Sequence, residues 1–376
     1  MTEQAYSPGL AGVVAGETAI CCVEQGQLLY RGYPIHELAD SVSFEDIAHL
    51  LLFETLPNAA GVERIRKAFF DYRKLPDAVV ETLRAIPDDV STMDVLRTNV
   101  SLAGHFDPIN DSDFENEAEA SRERSLWITA QIAAIIAARL RIKNGKDPLE
   151  PKEGLSHAAQ LLYQCHGEVP DELSARLIDL ALILYAEHDY NASTFTCRVI
   201  GSSLSDLVSS VVGAIGSLKG PLHGGANEAS MQMLKQFTTP EEAQAWIENA
   251  LARREKVMGF GHRVYRNGDH RADILDRELR KLAVQKGEEN WVAIYDAIRL
   301  HMLNEKKIFM NMDYPIGLIF YLLGLPLDLY SALFVASRVT GWCAHFIEQH
   351  ADNKLYRPLS VYTGPPLRSV PPVDQR

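Results

Sequence analysis

Cysteine is scarce in this sequence. Cys21, Cys22, Cys165, Cys197 and Cys343 form an odd, scattered set of five. This excludes the even disulfide framework of a small secreted domain, and the lack of a Cys-x-x-Cys pair removes a thiol metal or redox motif. Reduced thiols in a cytosol-like compartment are expected. Long apolar runs are also missing: the most hydrophobic stretch, residues 126–140, is shorter than the roughly 20 residues of a membrane span and ends in Arg139 and Arg141. It reads as a buried helix. The first residues, Met-Thr-Glu-Gln-Ala-Tyr, have neither a basic segment nor an apolar core, so they do not resemble a secretory signal, and a cytoplasmic location is expected. Positive charge is in deficit, with a formal net charge of −13. That argues against nucleic-acid or anionic-membrane partners, which require a broad basic surface.

The chain does have length and apolar content. Its 376 residues exceed the roughly 250–300 at which single cores stop growing, so two lobes are expected. The charge balance reverses locally between residues 253 and 271, where Arg253, Arg254, Lys256, Arg263, Arg266 and Arg271 face only Glu255 and Asp269. An anionic ligand would account for such a cluster.

Apolar residues recur at helical spacing, as in Leu173, Leu177, Leu180, Leu184 and in Leu204, Leu207, Val208, Val211, Val212, Ile215, which predicts a mainly α fold. The exception is near the start, where residues 18–23 and 27–30 flank a polar turn ending in Gly26 and predict a small hairpin. Lys219-Gly220-Pro221 closes one helix and residues 226–237 open the next, so His223 falls in the loop between them. Pro315 suits the first turn of a helix that ends at Gly324, which places Asp313 just before or at its start. The tail from Pro365 to Arg376 is Pro-rich and expected to be extended.

Two glycine motifs carry little. Gly12-Val-Val-Ala-Gly16 lacks the lysine of a phosphate loop, and Gly259-Phe-Gly261 is too short for a dinucleotide fingerprint. His345 and His350 around Glu348 are spaced i, i+5 rather than the i, i+4 of a helical zinc pair, so this stretch reads as a solvated helix face and no metal is expected. Pro221-Leu-His-Gly-Gly-Ala-Asn-Glu228 is different, because a histidine beside two glycines lets imidazole and backbone approach a ligand together. His223 is either a satisfied loop histidine or, kept neutral by the following helix N-terminus, a donor to a developing enolate oxygen. Met258-Gly-Phe-Gly-His262-Arg-Val-Tyr-Arg266 sets a second loop histidine beside arginines, as either a solvated basic loop or an electrophile next to an anion. Arg338 shares its helix with Leu333, Phe334, Val335, Val339 and Trp342, so its guanidinium either snorkels or meets an anion. Asp313 is either an N-cap or a lone carboxylate among Phe309, Met310, Met312 and Tyr314. Burial would raise its pKa and a helix N-terminus would lower it.

These segments together resemble the signature segments of citrate synthases: residues 221–228, 259–265, 311–317 and Arg357-Pro358. The resemblance extends to Gly9-Leu-Ala-Gly-Val13, Leu29-Tyr-Arg-Gly-Tyr33, Met93-Asp-Val-Leu-Arg-Thr98 and His188-Asp-Tyr-Asn-Ala-Ser-Thr-Phe195, so it covers essentially the whole chain. It implies a nearly all-α, two-domain fold, with residues 1–224 and 325–376 in a large domain and residues 225–324 in a small one. It further implies that Asp313 removes a proton from acetyl-CoA, His223 holds the enol or enolate oxygen, and His262 polarises the ketone of oxaloacetate. The citryl-CoA so formed is then hydrolysed. By the same resemblance His188, Arg271, Arg338 and Arg357 bind oxaloacetate, with Arg357 reaching across a homodimer. Arg266 contacts CoA, with Lys256 and Arg263 as further candidates. Acyl-CoA is a cosubstrate, and no tightly bound cofactor is implied. The sequence departs from common family patterns at Glu187, where aspartate often precedes the histidine, and at Leu359, where arginine often follows Arg-Pro. Three other readings stand beside this one: a 2-methylcitrate synthase using propionyl-CoA, a non-catalytic acyl-CoA-binding homologue, and a citrate-cleaving lyase module, which would need an ATP-using region this sequence lacks.

Overall fold

A computed structural model describes residues 7–24, 27–261, 265 and 268–376. Among these residues the chain is all-α apart from one small sheet. The sheet contains β1 (Cys21–Glu24), β2 (Gln27–Tyr30) and β3 (Tyr33–Pro34), antiparallel in the order β1-β2-β3. Cys21 pairs with Tyr30 and Tyr30 with Tyr33. The predicted hairpin is therefore present with a third short strand added, while the turn at Gly26 lies outside the described residues.

The helices, in chain order, are α1 (Ile35–Ser41), α2 (Phe44–Phe53), α3 (Ala59–Asp71), α4 (Asp77–Ala85), α5 (Thr92–Ala103), α6 (Glu117–Lys143), α7 (His157–His166), α8 (Glu172–Tyr185), α9 (Ala192–Gly201) and α10 (Leu207–Leu218). They continue with α11 (Ala226–Leu234), α12 (Pro240–Ala252), α13 (His270–Lys286), α14 (Glu289–His301), α15 (Asp313–Leu322) and α16 (Tyr330–Ala351). Their ends follow the local chemistry. Asn116 caps α6, Asp171 caps α8, Asn191 caps α9 and Asp206 caps α10, each accepting a backbone N–H of the first turn. Gly324, at φ +75°, follows the end of α15.

Two of these helices form the centre. The apolar run at residues 126–140 lies inside α6, which is long and apolar enough to cross a membrane by length and composition, yet nearly all of that stretch is buried within the protein. A helix apolar on every side belongs in a core. It packs against α16, which also contacts α8, α9 and α10. Helices α11 to α15 pack chiefly on one another, α12 on α14 and α13 and α11 on α15.

Two expectations require correction. The apolar period starting at Leu204 does not begin a helix there. Leu204 has φ +61° and is 70% exposed, because Asp206 caps the helix two residues later. The stretch containing His345 is not a solvated face: His345 is fully buried, since α16 is covered on nearly all sides. Its Nδ1 lies 2.8 Å from Arg198 Nη1 and its Nε2 lies 3.1 Å from Glu187 Oε1. The guanidinium can only donate, so the imidazole proton sits on Nε2 and is given to Glu187.

This contact leaves no slack between α8 and α16. A Cβ on Gly341 would come within 2.2 Å of Glu187 Oε2 and 2.3 Å of the Ala186 carbonyl. Gly341→Ala is therefore expected to destabilise the protein by about 1–3 kcal/mol, since the backbones must part to admit the methyl group. A thermal midpoint equal to that of the parent protein would show that the helices can separate freely.

Candidate active site

One cleft, with a volume of about 580 Å³, collects five of the residues singled out in the sequence. His188, His223, Arg271, Asp313 and Arg338 all line it, together with Tyr185 and Phe334. These residues come from the end of α8, the loop before α9, the turn before α11, the first turns of α13 and α15, and the middle of α16. Helix termini and the loops beside them thus aim unpaired backbone groups and charged side chains at a common space.

His223 is held by Ser193. The Ser193 backbone N–H lies 3.3 Å from His223 Nε2 and its hydroxyl 2.7 Å from the same atom. A backbone N–H can only donate, so Nε2 carries the lone pair and the ring proton resides on Nδ1. Ser193 is itself fully buried, and its hydroxyl accepts the Trp342 indole N–H at 3.1 Å. Burial, followed by the charge of Arg338, pushes the His223 pKa down to about 4. The neutral ring expected from the sequence is present, though these two effects account for it.

The competition over Asp313 is decided by burial, which raises its pKa from the usual carboxylate range. A hydrogen bond from the Tyr185 hydroxyl at 2.5 Å and the charge of Arg271 offset only part of this rise. Asp313 is the first residue of α15 and does not cap it, as Met312 occupies that position.

The two cleft arginines differ. Arg271 is paired with Asp269 through Nε and Nη2, both at 2.9 Å, and Asp269 also accepts the backbone N–H of Met312 at 3.2 Å. Asp269 thereby ties Arg271 to the residue preceding Asp313. Arg338 is 2% exposed and has no carboxylate within ion-pairing distance among the described residues. It donates through Nε to the Tyr185 carbonyl at 2.6 Å and lies over the Phe334 ring at 4.7 Å. Burial lowers its pKa, and the charge of Glu187 opposes that shift. A buried guanidinium without a counterion is costly, and an anionic ligand would relieve that cost.

His188 is half-buried, packs edge-on to Tyr265 with ring centroids 5.5 Å apart, and donates its backbone N–H to Glu187 Oε1 at 2.8 Å. The segment leading to residue 262 is stapled to the segment leading to Asp313. Phe260 bridges Met310, the Gly261 N–H meets the Phe309 carbonyl at 2.8 Å, and the Asn311 N–H meets the Gly259 carbonyl at 2.9 Å. Gly259 is required there, at φ +83° with Tyr314 Cβ 2.8 Å from where its own Cβ would be.

Other expected residues are placed differently. Arg357 and Lys256 are exposed and do not line the cleft. His262, Arg263 and Arg266 lie outside the described residues. The sequence reading gave no role to Tyr185, Ser193 or Asp269. Ser193 lies within a quoted signature, and Asp269 could have been noticed as the acid two residues before Arg271. Among the described residues, no group of three or more His, Cys, Asp or Glu side chains is arranged to hold a metal ion.

The sequence model described as citrate synthase, C-terminal domain, matches residues 9–359. The chain belongs to the citrate synthase family. The citrate synthase of Mycolicibacterium smegmatis is 42% identical over 367 residues, 96% of each chain. The 2-methylcitrate synthase of Mycobacterium tuberculosis is 41% identical over 365 residues, covering 96% of this chain and 92% of that one. A solved ternary complex of citrate synthase from Thermoplasma acidophilum with carboxymethyl coenzyme A and oxaloacetate is 30% identical, with a TM-score of 0.90 over 99% of this chain and 100% of that one. This chain is accordingly an enzyme of the acyl-CoA-condensing citrate synthase family.

The ring of His223 should be observable directly. In a ¹⁵N-edited imidazole spectrum it is expected to show the Nδ1–H form at neutral pH and to titrate near pH 4. Its folded pKa is depressed, so the stability tied to its neutral form is present above the unfolded value of about 6.5 and is lost as pH falls toward 4. A midpoint near 6.5 would contradict the half-buried, Ser193-held ring.

Proposed function

We propose that this enzyme condenses acetyl-CoA with oxaloacetate and water to give citrate and CoA. The observation that carries the reading is the convergence on one cleft of a half-buried carboxylate with raised proton affinity, a neutral histidine, and the guanidinium of Arg338, which pairs with no carboxylate among the described residues. Proton abstraction next to a thioester needs the first two, and a dicarboxylate partner needs the third.

In this mechanism Asp313 takes a proton from the acyl methyl group. The electron pair moves to the thioester oxygen, where the Nδ1–H of His223 meets the developing charge. The enol carbon then attacks the ketone of oxaloacetate, which His262 polarises by family resemblance, and the resulting thioester is hydrolysed. Arg338, Arg271 and His188 receive the oxaloacetate carboxylates. For Arg271 the proposal must accommodate Asp269, which already takes two of its donors and leaves Nη1 for the substrate. Arg357, exposed on the tail, completes the partner's site in a homodimer, and Arg266, Lys256 and Arg263 contact CoA. Residues 225–324 form a small domain that closes over the substrates, and the enzyme acts in the cytoplasm.

A second reading, 2-methylcitrate synthesis from propionyl-CoA, is favoured by one observation. Relatives of both names match this chain at nearly equal identity. Discrimination of one methylene is worth only about 1–3 kcal/mol.

Thiol release with oxaloacetate and either acetyl-CoA or propionyl-CoA, with products identified by mass, tests both readings. Asp313→Asn is expected to lower kcat by about 10²–10⁴-fold with either acyl-CoA. Preference for propionyl-CoA would move the assignment to 2-methylcitrate, and turnover insensitive to Asp313→Asn would overturn the mechanism. Mixed dimers of Arg357→Ala and Asp313→Asn chains are expected to regain one working site; no recovery would refute sharing of Arg357.

A further inference from the structure

Tyr185 is the last residue of α8 and 2% exposed, and it is bound at both its side chain and its backbone. Its hydroxyl donates to Asp313 Oδ1 at 2.5 Å, and among the described residues no other side chain donates to that carboxylate. Its carbonyl, left without a partner by the end of the helix, accepts Arg338 Nε at 2.6 Å. Its ring packs on Phe334 with centroids 4.1 Å apart, and Phe334 in turn meets the edge of His223 at 6.1 Å. Asn227 Nδ2 approaches the hydroxyl from the other side at 3.4 Å.

We propose that Tyr185 is a positioning residue for the proton-transfer step, holding Oδ1 of Asp313 so that Oδ2 receives the acyl proton, while its carbonyl separately anchors Arg338. The proposal rests on Asp313 being the base. A carboxylate fixed at one oxygen cannot rotate away from a near-attack arrangement, where small misplacements are costly in rate. In the step itself the C–H bond breaks and an O–H bond forms at Oδ2, with the electron pair passing to the thioester oxygen. Tyr185 keeps its proton throughout, because burial and the neighbouring Asp313 hold the phenol far above its ordinary range. The bond also favours the ionised carboxylate, against the effect of burial.

Replacing the side chain leaves the carbonyl in place, so the two functions can be separated. In Tyr185→Phe, kcat at neutral pH is expected to fall about tenfold or more, with the acid limb of the kcat profile moved upward by about one pH unit. The KM for oxaloacetate should stay within about twofold and the thermal midpoint near that of the parent. An unmoved acid limb, whether kcat is unchanged or falls equally at every pH, would overturn the proposal. Phe334→Leu removes the stacked ring and keeps the hydroxyl, so it should leave the acid limb in place. If it shifts the limb as far as Tyr185→Phe does, packing sets the base and the proposal fails. Asp313→Asn assayed in parallel separates the two claims, since full turnover in that variant refutes the base itself, whatever Tyr185 does.

Discussion

The cleft is organised around a buried charge that no carboxylate among the described residues pairs with. Arg338 sits in the middle of α16 beside the Phe334 ring, and among the described residues its acceptor is one backbone carbonyl. Leaving a guanidinium in that state costs several kcal/mol, which the large all-helical core can bear. The charge has consequences around it. It helps to keep His223 neutral, partly offsets the effect of burial on Asp313, and leaves a site prepared for an anion before any ligand arrives.

Behind the cleft wall runs a line of buried polar groups. Arg198 donates to His345, His345 donates to Glu187, and Glu187 accepts the backbone N–H of His188. Because the guanidinium has no acceptor, the direction of every proton along the line is determined. Glu187 is the position where the sequence departs from the aspartate common in the family. Its carboxylate lies against Gly341, where an added Cβ would meet Oε2 at 2.2 Å and the Ala186 carbonyl at 2.3 Å.

Much of this was legible from residues alone. The all-helical class, the loop settings of His223 and Asp313, and five of the residues now lining the cleft follow from helical spacing, helix-end chemistry and the resemblance of motifs. Other features depend on contacts that sequence does not display. Tyr185 and Asp313 are 128 positions apart, so nothing near either residue signals their bond. His345 was read as solvated because polar residues on a helix usually face water, but α16 is enclosed and the rule fails there. Arg357 and Lys256 stand apart from the cleft of their own chain, where a residue's place among signature motifs gives no position.

The hydrogen bond between Tyr185 and Asp313 joins α8, in the assembly around α6 and α16, to α15, in the assembly of α11 to α15. Any motion that parts these assemblies also disconnects the carboxylate from its anchor. If Asp313 is the base, the geometry needed to generate a carbanion is linked to the docked arrangement, and a thioester entering a parted cleft would meet a base without its anchor. Under the proposed mechanism the fold would thereby carry a safeguard against wasting its activated substrate.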